Sequence, residues 1–96
     1  MTTYDLQFLP SALKEWRALD ATIRLQFKAK LQQRLQQPQV PGSCLTGMPD
    51  CYKIKLAAAG YRLVYRVDEK AVVVLVVAVG KRENLATYRA ARKRVP

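Results

Sequence analysis

Residues Ala71 to Val79 are all apolar, and most of them are valine. Valine is branched at Cβ, which suits a pleated strand better than a helix. A strand with one wet face would alternate, and this one does not. It reads as a central strand covered on both faces. The run falls far short of the roughly 20 apolar residues that cross a bilayer. The rest of the chain must therefore supply neighbouring strands and apolar helix faces to bury it.

Those elements are legible. Tyr4, Leu6 and Phe8 alternate with Asp5 and Gln7, the pattern of a half-buried strand. Ser11 is the expected cap of a first helix, with Pro10 just outside it. Leu13, Trp16 and Leu19 give that helix an apolar edge. Asp20 is the expected cap of a second helix, in which Ile23, Phe27, Leu31 and Leu35 form one stripe. Pro38 ends it, because the residue before a proline avoids the helical region. Gln39 to Pro49 holds Pro41, Gly42, Gly47 and Pro49 and reads as loop. Tyr52 to Leu56 and Tyr61 to Val67 alternate as strands, joined by Ala57 to Gly60. Asp68 to Lys70 is the turn into the valine run, and Glu83 to Arg94 reads as a closing helix with Leu85, Tyr88 and Ala91 at three-residue spacing. The order is β-α-α-β-β-β-α. The fold class expected is α+β, a mostly antiparallel four-stranded sheet with helices packed on one face. One domain over residues 1–96 is the natural expectation for a chain of this length.

Charge bears on function more than on fold. There are 17 Lys and Arg against 7 Asp and Glu, a formal net charge of +10. Self-repulsion of that size makes a polyanionic partner a reasonable expectation, with nucleic acid the commonest. There is no histidine, so a nuclease built on imidazoles is excluded. The acids are scattered, only Asp68 and Glu69 being adjacent, and Cys44 and Cys51 lack the spacing of a zinc site. No metal and no cofactor is expected. The first residues do not look like a secretory leader, so a cytoplasmic protein with two free thiols is the reading.

Strand alternation then gathers the cations. Lys53 and Lys55 point away from Tyr52, Ile54 and Leu56; Arg62, Val64 and Arg66 point away from Tyr61, Leu63 and Tyr65. If Ala57 to Gly60 is the turn, Lys55 falls near Arg62. Like charges directly opposite destabilise a sheet. The face is either a solvated surface or an anion site. Arg82 follows the valine strand closely, and Tyr88 lies on the closing helix. Tyr88 is either a core-edge ring or a stacking platform for an RNA base.

The stretch Gly47-Met48-Pro49-Asp50-Cys51-Tyr52-Lys53-Ile54-Lys55-Leu56, followed by Gly60-Tyr61-Arg62-Leu63-Val64-Tyr65, resembles the RelE toxins of bacterial toxin–antitoxin systems. Leu13-Lys14-Glu15-Trp16 and Val79-Gly80-Lys81-Arg82-Glu83 extend the likeness over nearly the whole chain. The resemblance implies a RelE-like microbial ribonuclease fold and a ribosome-dependent endoribonuclease that cuts mRNA in the ribosomal A site. The ribose 2′-hydroxyl would attack, leaving a 2′,3′-cyclic phosphate. The positions that match the family's working residues are Lys53, Lys55, Arg62, Arg82 and Tyr88. Lysine is ordinarily a poor base, with a pKa near 10.4, but close like charges depress it. Lys55, with Lys53 beside it, is expected to help remove the 2′-proton. Arg62 would hold the non-bridging oxygens, Arg82 would assist the leaving oxygen and Tyr88 would position a base. Lys14, Arg17, Lys28, Lys30, Arg34, Lys81, Arg89 and Arg92 are the candidate RNA- or ribosome-binding cations.

Thr46 departs from the pattern: the best-known family member has an arginine there that contributes to RNA or ribosome contact. Implied partners are a RelB-like antitoxin, the ribosome with its 16S rRNA, and mRNA. No membrane partner is expected. The toxin would be a monomer when free and part of a hetero-oligomer with its antitoxin. The competing readings are a ParE-like inhibitor of DNA gyrase and a non-catalytic basic RNA- or ribosome-binding module.

Overall fold

The computed structural model describes residues 3–81 and 86–95. Its elements are β1 (Asp5–Phe8), α1 (Pro10–Arg17), α2 (Ala21–Gln36), β2 (Cys51–Leu56), β3 (Tyr61–Asp68), β4 (Val73–Lys81) and α3 (Ala86–Arg94). The sheet runs β1-β4-β3-β2. β4 pairs with β1 in parallel and with β3 antiparallel, and β2–β3 is an antiparallel hairpin. The valine strand is internal to the sheet, as its composition requires.

Both faces of β4 are covered by helices, and this departs from the one-faced expectation. Val74, Val76 and Val79 join a core with Ala12, Leu19, Phe27 and Leu31 of the α1–α2 side. Val77 and Ala78 join a second core with Met48, Cys51, Val64 and Ala91, beneath α3. The switch is a β-bulge. Val64 pairs with Ala78 but Tyr65 pairs with Val76, so Val77 is the extra residue. A strand without polar positions tolerates this local change of face, because either side is apolar.

Local chemistry explains the boundaries. Leu9 still donates its N–H to Val76 O at 3.0 Å, extending the ladder past β1. The helix then starts at once, with Leu9 as cap and Pro10 in its first turn, not with Ser11 as cap. Proline fits there because its ring presets φ and its missing N–H would have no helical partner. Asp20 caps α2 as expected, its carboxylate accepting from Thr22 N at 3.2 Å. The Ile23, Phe27, Leu31, Leu35 stripe faces the larger core. The turn before β4 is longer than expected. The Asp68 carboxylate accepts from Ala71 N at 3.0 Å, and Val72 adopts φ 57°, so β4 begins two residues later than the apolar run. The expected start of the closing helix, including Leu85, lies outside the described residues.

Beyond Val76, β4 has left its β1 partner, and side chains serve this edge. Glu15 Oε1 accepts from Val79 N at 3.3 Å, and Arg94 Nη1 donates to Val77 O at 2.9 Å. The two side chains also pair with each other at 2.8 Å, the one ion pair among the described residues. The bridge joins α1 on one side of the sheet to the last turn of α3 on the other. Both cysteines are free, Cys44 exposed and Cys51 buried. Burial raises the Cys51 thiol pKa, with Arg66 pulling the other way.

Arg94→Ala should lower the unfolding free energy by about 1–2 kcal/mol, since the pair is only partly screened from water. Adding Glu15→Ala should cost less than the sum of the single changes, as chemical denaturation of the four proteins will show. Strict additivity would mean that no coupling exists. Alkylation of the native protein should modify Cys44 quickly and Cys51 only on unfolding, so Cys44→Ser should abolish the fast phase in a thiol assay. A persistent fast phase would contradict the burial of Cys51.

Candidate functional site

The hairpin aligns the basic residues as alternation requires. Lys55 sits directly opposite Arg62 and Lys53 opposite Val64. Gly60 closes the connecting turn at φ 71°, a conformation glycine adopts without strain, and donates to Leu56 O at 2.9 Å. Tyr52, Ile54 and Leu56 pack on the α1–α2 side. Lys53, Lys55 and Arg62 therefore lie on the side that carries α3. Lys55 is exposed, while Lys53 and Arg62 are half-buried.

Arg62 is the centre of this arrangement. Its guanidinium carbon lies 5.8 Å from the centroid of the Tyr88 ring. Across the sheet it faces Gly80 on β4. A side-chain carbon on Gly80 would stand 3.1 Å from Thr87 Oγ1, so glycine is what lets α3 lie this close. Arg62 Nε is buried and has no hydrogen-bond partner among the described residues. A buried donor left unpaired costs about 1–3 kcal/mol, and more for charged groups. Beside it, Lys55, Leu56, Ala57, Gly60, Tyr61 and Arg62 line a cavity of about 190 Å³.

Four of the five expected site residues thus meet on one side of the sheet: Lys53, Lys55, Arg62 and Tyr88. The fifth, Arg82, lies outside the described residues. Lys81 ends β4 opposite Tyr61, exposed at the margin of the site. Arg89 and Arg92 are exposed on α3. Lys14 and Arg17 on α1, and Lys28 and Lys30 on α2, are exposed on the layer across the sheet.

Arg34 is different. It donates to Tyr65 Oη at 2.8 Å, to Lys53 O at 3.3 Å and to Ser43 Oγ at 3.3 Å. Its guanidinium also lies 5.8 Å from the Tyr65 ring. Tyr65 in turn donates to Pro38 O at 2.6 Å and stacks on Tyr52 at 5.7 Å. Burial raises the Tyr65 phenol pKa, with the Arg34 hydrogen bond working against it. Arg34 ties α2 to the hairpin from the far side of the sheet, so it belongs to the fold and not to this surface.

Arg66 was passed over as a site residue. It shares the Arg62 face by alternation and lines a cavity with Arg92. The alternation alone was signal enough to notice it. Among the described residues no three Cys, Asp or Glu side chains gather in a way that could hold a metal.

The model for the ParE toxin of type II toxin–antitoxin systems matches residues 6–86. The chain is 53% identical over 92 residues to the mRNA interferase toxin RelE of Escherichia coli K12, covering 96% of this chain and 97% of the relative. A double-arginine variant of E. coli toxin RelE in the free state superposes with a TM-score of 0.91 at 51% identity, covering 98% of this chain and 99% of that one. The toxin in the intact E. coli RelBE toxin–antitoxin complex gives 0.81 at 54% identity, covering 84% and 99%. A match of this extent, in sequence and in fold, means that the chain belongs to the RelE and ParE toxin family of type II toxin–antitoxin systems, on the RelE side of it.

Proposed function

We propose that this chain is the toxin of a type II toxin–antitoxin pair and an mRNA interferase. It cuts mRNA in the ribosomal A site by attack of the ribose 2′-hydroxyl. The whole of residues 1–96 acts as one toxin domain, a reading supported by a single sheet that serves both cores. The observation that carries the nuclease reading is Arg62, whose Nε is buried with no hydrogen-bond partner among the described residues, whose guanidinium lies 5.8 Å from the Tyr88 ring and whose strand partner is Lys55. A guanidinium with a donor to spare suits an anionic oxygen, and a phosphodiester offers one.

The chemistry follows from that placement. The 2′-oxygen attacks phosphorus while the bond to the 5′-oxygen breaks. Lys55, with Lys53 beside it, takes the 2′-proton. Arg62 holds the non-bridging oxygens as their charge grows. Tyr88 stacks on a base and fixes the reacting geometry. The 5′-oxygen leaves with its charge held by Arg82 and takes up a proton from solvent, to which Lys55 returns the one it accepted. Lys14, Arg17, Lys28, Lys30, Lys81, Arg89 and Arg92 supply the long-range attraction to mRNA and 16S rRNA. The partner is a RelB-like antitoxin, an acidic chain that folds on binding, and the free toxin is a monomer. No helix among the described residues is long and apolar enough to cross a membrane. The site of action is the cytoplasm, where ribosomes are.

The family model bears the name of the ParE toxins, which keeps gyrase inhibition as the second reading. Near-full-length identity to a named mRNA interferase favours the nuclease. Mapping mRNA ends after adding the protein to translating ribosomes decides between them. A-site cuts are expected, and intact mRNA with inhibited gyrase would overturn the proposal.

Two results should follow. Arg62→Met should reduce cleavage by roughly 10²–10³-fold, the usual effect of losing one charge-stabilising donor. The same change should leave the melting temperature unchanged or raise it, because it removes a buried unpaired donor. A variant that melts much earlier would show that Arg62 belongs to the fold. For Tyr88, the phenylalanine variant should cleave nearly as wild type, while Tyr88→Ala should lose about 5–150-fold, the range for one base–aromatic stack. Equal losses in both would point to the hydroxyl and not the ring.

A further inference from the structure

The groove between β3 and α3 continues past Arg62 and Tyr88. Arg66 returns to the Arg62 face by strand alternation, and Arg92 stands one helical turn after Tyr88. Arg66 and Arg92 line one cavity of about 410 Å³ with Gly47, Met48, Pro49 and Asp50. Asp50 is the sole carboxylate of that lining, which Val95 completes, and it pairs with neither arginine; Arg66 also borders a second cavity with Asp50, Asp68, Glu69 and Lys70, and pairs with none of those acids either. Two guanidiniums thus face one cavity with their donors unengaged by hydrogen bonds or ion pairs among the described residues.

Four residues of strand span about 13 Å, a separation that suits Arg66 to a different phosphate from the one Arg62 serves. The rim is bare at Gly47, where a side-chain carbon would meet nothing within 4 Å, and backbone can approach a ligand closely. No aromatic, Asn or Gln side chain lines the cavity, so it offers nothing to stack on a base or read its edge. Planar forks with no base-reading neighbours suit a phosphodiester.

We infer that Arg66 and Arg92 form a second phosphate site, which holds the backbone of the same RNA away from the cut. The inference rests on the nuclease reading above. Such a site grips without specifying sequence, and it acts on affinity and not on the chemical step.

The test is the double variant Arg66→Gln/Arg92→Gln in cleavage of a defined mRNA on programmed ribosomes, with KM and kcat measured across a salt series. KM should rise roughly tenfold, as expected for lost charge-assisted hydrogen bonds. The slope of log KM against log salt should fall by about 0.7, from one single-strand phosphate contact. kcat should stay within about twofold, since neither residue touches the reacting atoms. The Arg66→Lys/Arg92→Lys variant should keep most of the salt slope; it also replaces the glutamine pair if that pair fails to fold. Unchanged KM and slope would overturn the inference, as would a collapse of kcat alone. Normal cleavage kinetics with lost binding of an acidic antitoxin peptide would assign the cavity to protein instead. If the wild type cuts nothing on ribosomes, the nuclease reading has failed. The second site is then judged by binding of a short 2′-deoxy single strand, where equal affinity of wild type and double variant would refute it.

Discussion

Val74, Val76 and Val79 face one core while Val77 and Ala78 face the other, and a single extra residue in β4 makes the exchange. The strand must be covered on both sides, because no position along it prefers water. The N-terminal helices have apolar stripes broad enough for one side. The other side is left to α3 alone, a nine-residue basic helix that buries Thr87 and Ala91. This unequal cover leaves room for cations. On the thick side, Tyr65, Phe27 and Leu31 fill the space, and even the polar Arg34 and Tyr65 groups are hydrogen-bonded to the fold. On the α3 side, Lys53, Arg62 and Arg66 are only half-buried and Lys55 is exposed.

Much of this is legible in the sequence. The Lys55–Arg62 pairing needed only two alternating segments and a short turn, because period-two order leaves no freedom once the register is set. The α2 stripe and the Asp20 cap were equally local. What could not be read was which side of the sheet each helix takes. A helix as short and charged as α3 carries little apolar signal, and its place depends on a close approach at Gly80 that only tertiary structure reveals. Arg34 misled for a related reason. A polar residue on an amphipathic helix normally faces water, but Tyr65 and Ser43 come from distant segments and hold this one inside. Ser11 misled because Leu9 remains in the β ladder and Pro10 then suits the first turn better. Arg66 was visible by alternation, but its neighbour Arg92 comes from a different element, and one strand cation alone looks like solvated surface.

The site is held together by features that do not favour folding in themselves. Lys55 and Arg62 are cations in register, and Arg62 has a buried donor with no hydrogen-bond partner among the described residues. The Tyr88 ring offsets part of this through its contact with the guanidinium, worth about 0.5–2 kcal/mol depending on solvent access. The fold can carry the remainder because the stabilising contacts lie elsewhere, in the valine strand and in the Glu15–Arg94 bridge at its edge. Placing charge where the fold does not need it is the familiar opposition of stability and activity.

That opposition also explains how a chain without histidine can work on a phosphodiester. Cations such as lysine and arginine are weak acids near neutrality, so their strength as catalysts lies in charge and position. Where part of a guanidinium is buried, as Nε of the half-buried Arg62 is, the effective dielectric falls and attraction for an anion exceeds what water would allow. The same partial burial raises the benefit of pairing that donor with an anion. Any bound polyanion that satisfies Arg62 therefore also stabilises the fold by mass action, whether that anion is RNA or an acidic protein segment. Substrate and inhibitor would then compete for one electrostatic deficit, and the +10 chain is built so that each relieves it.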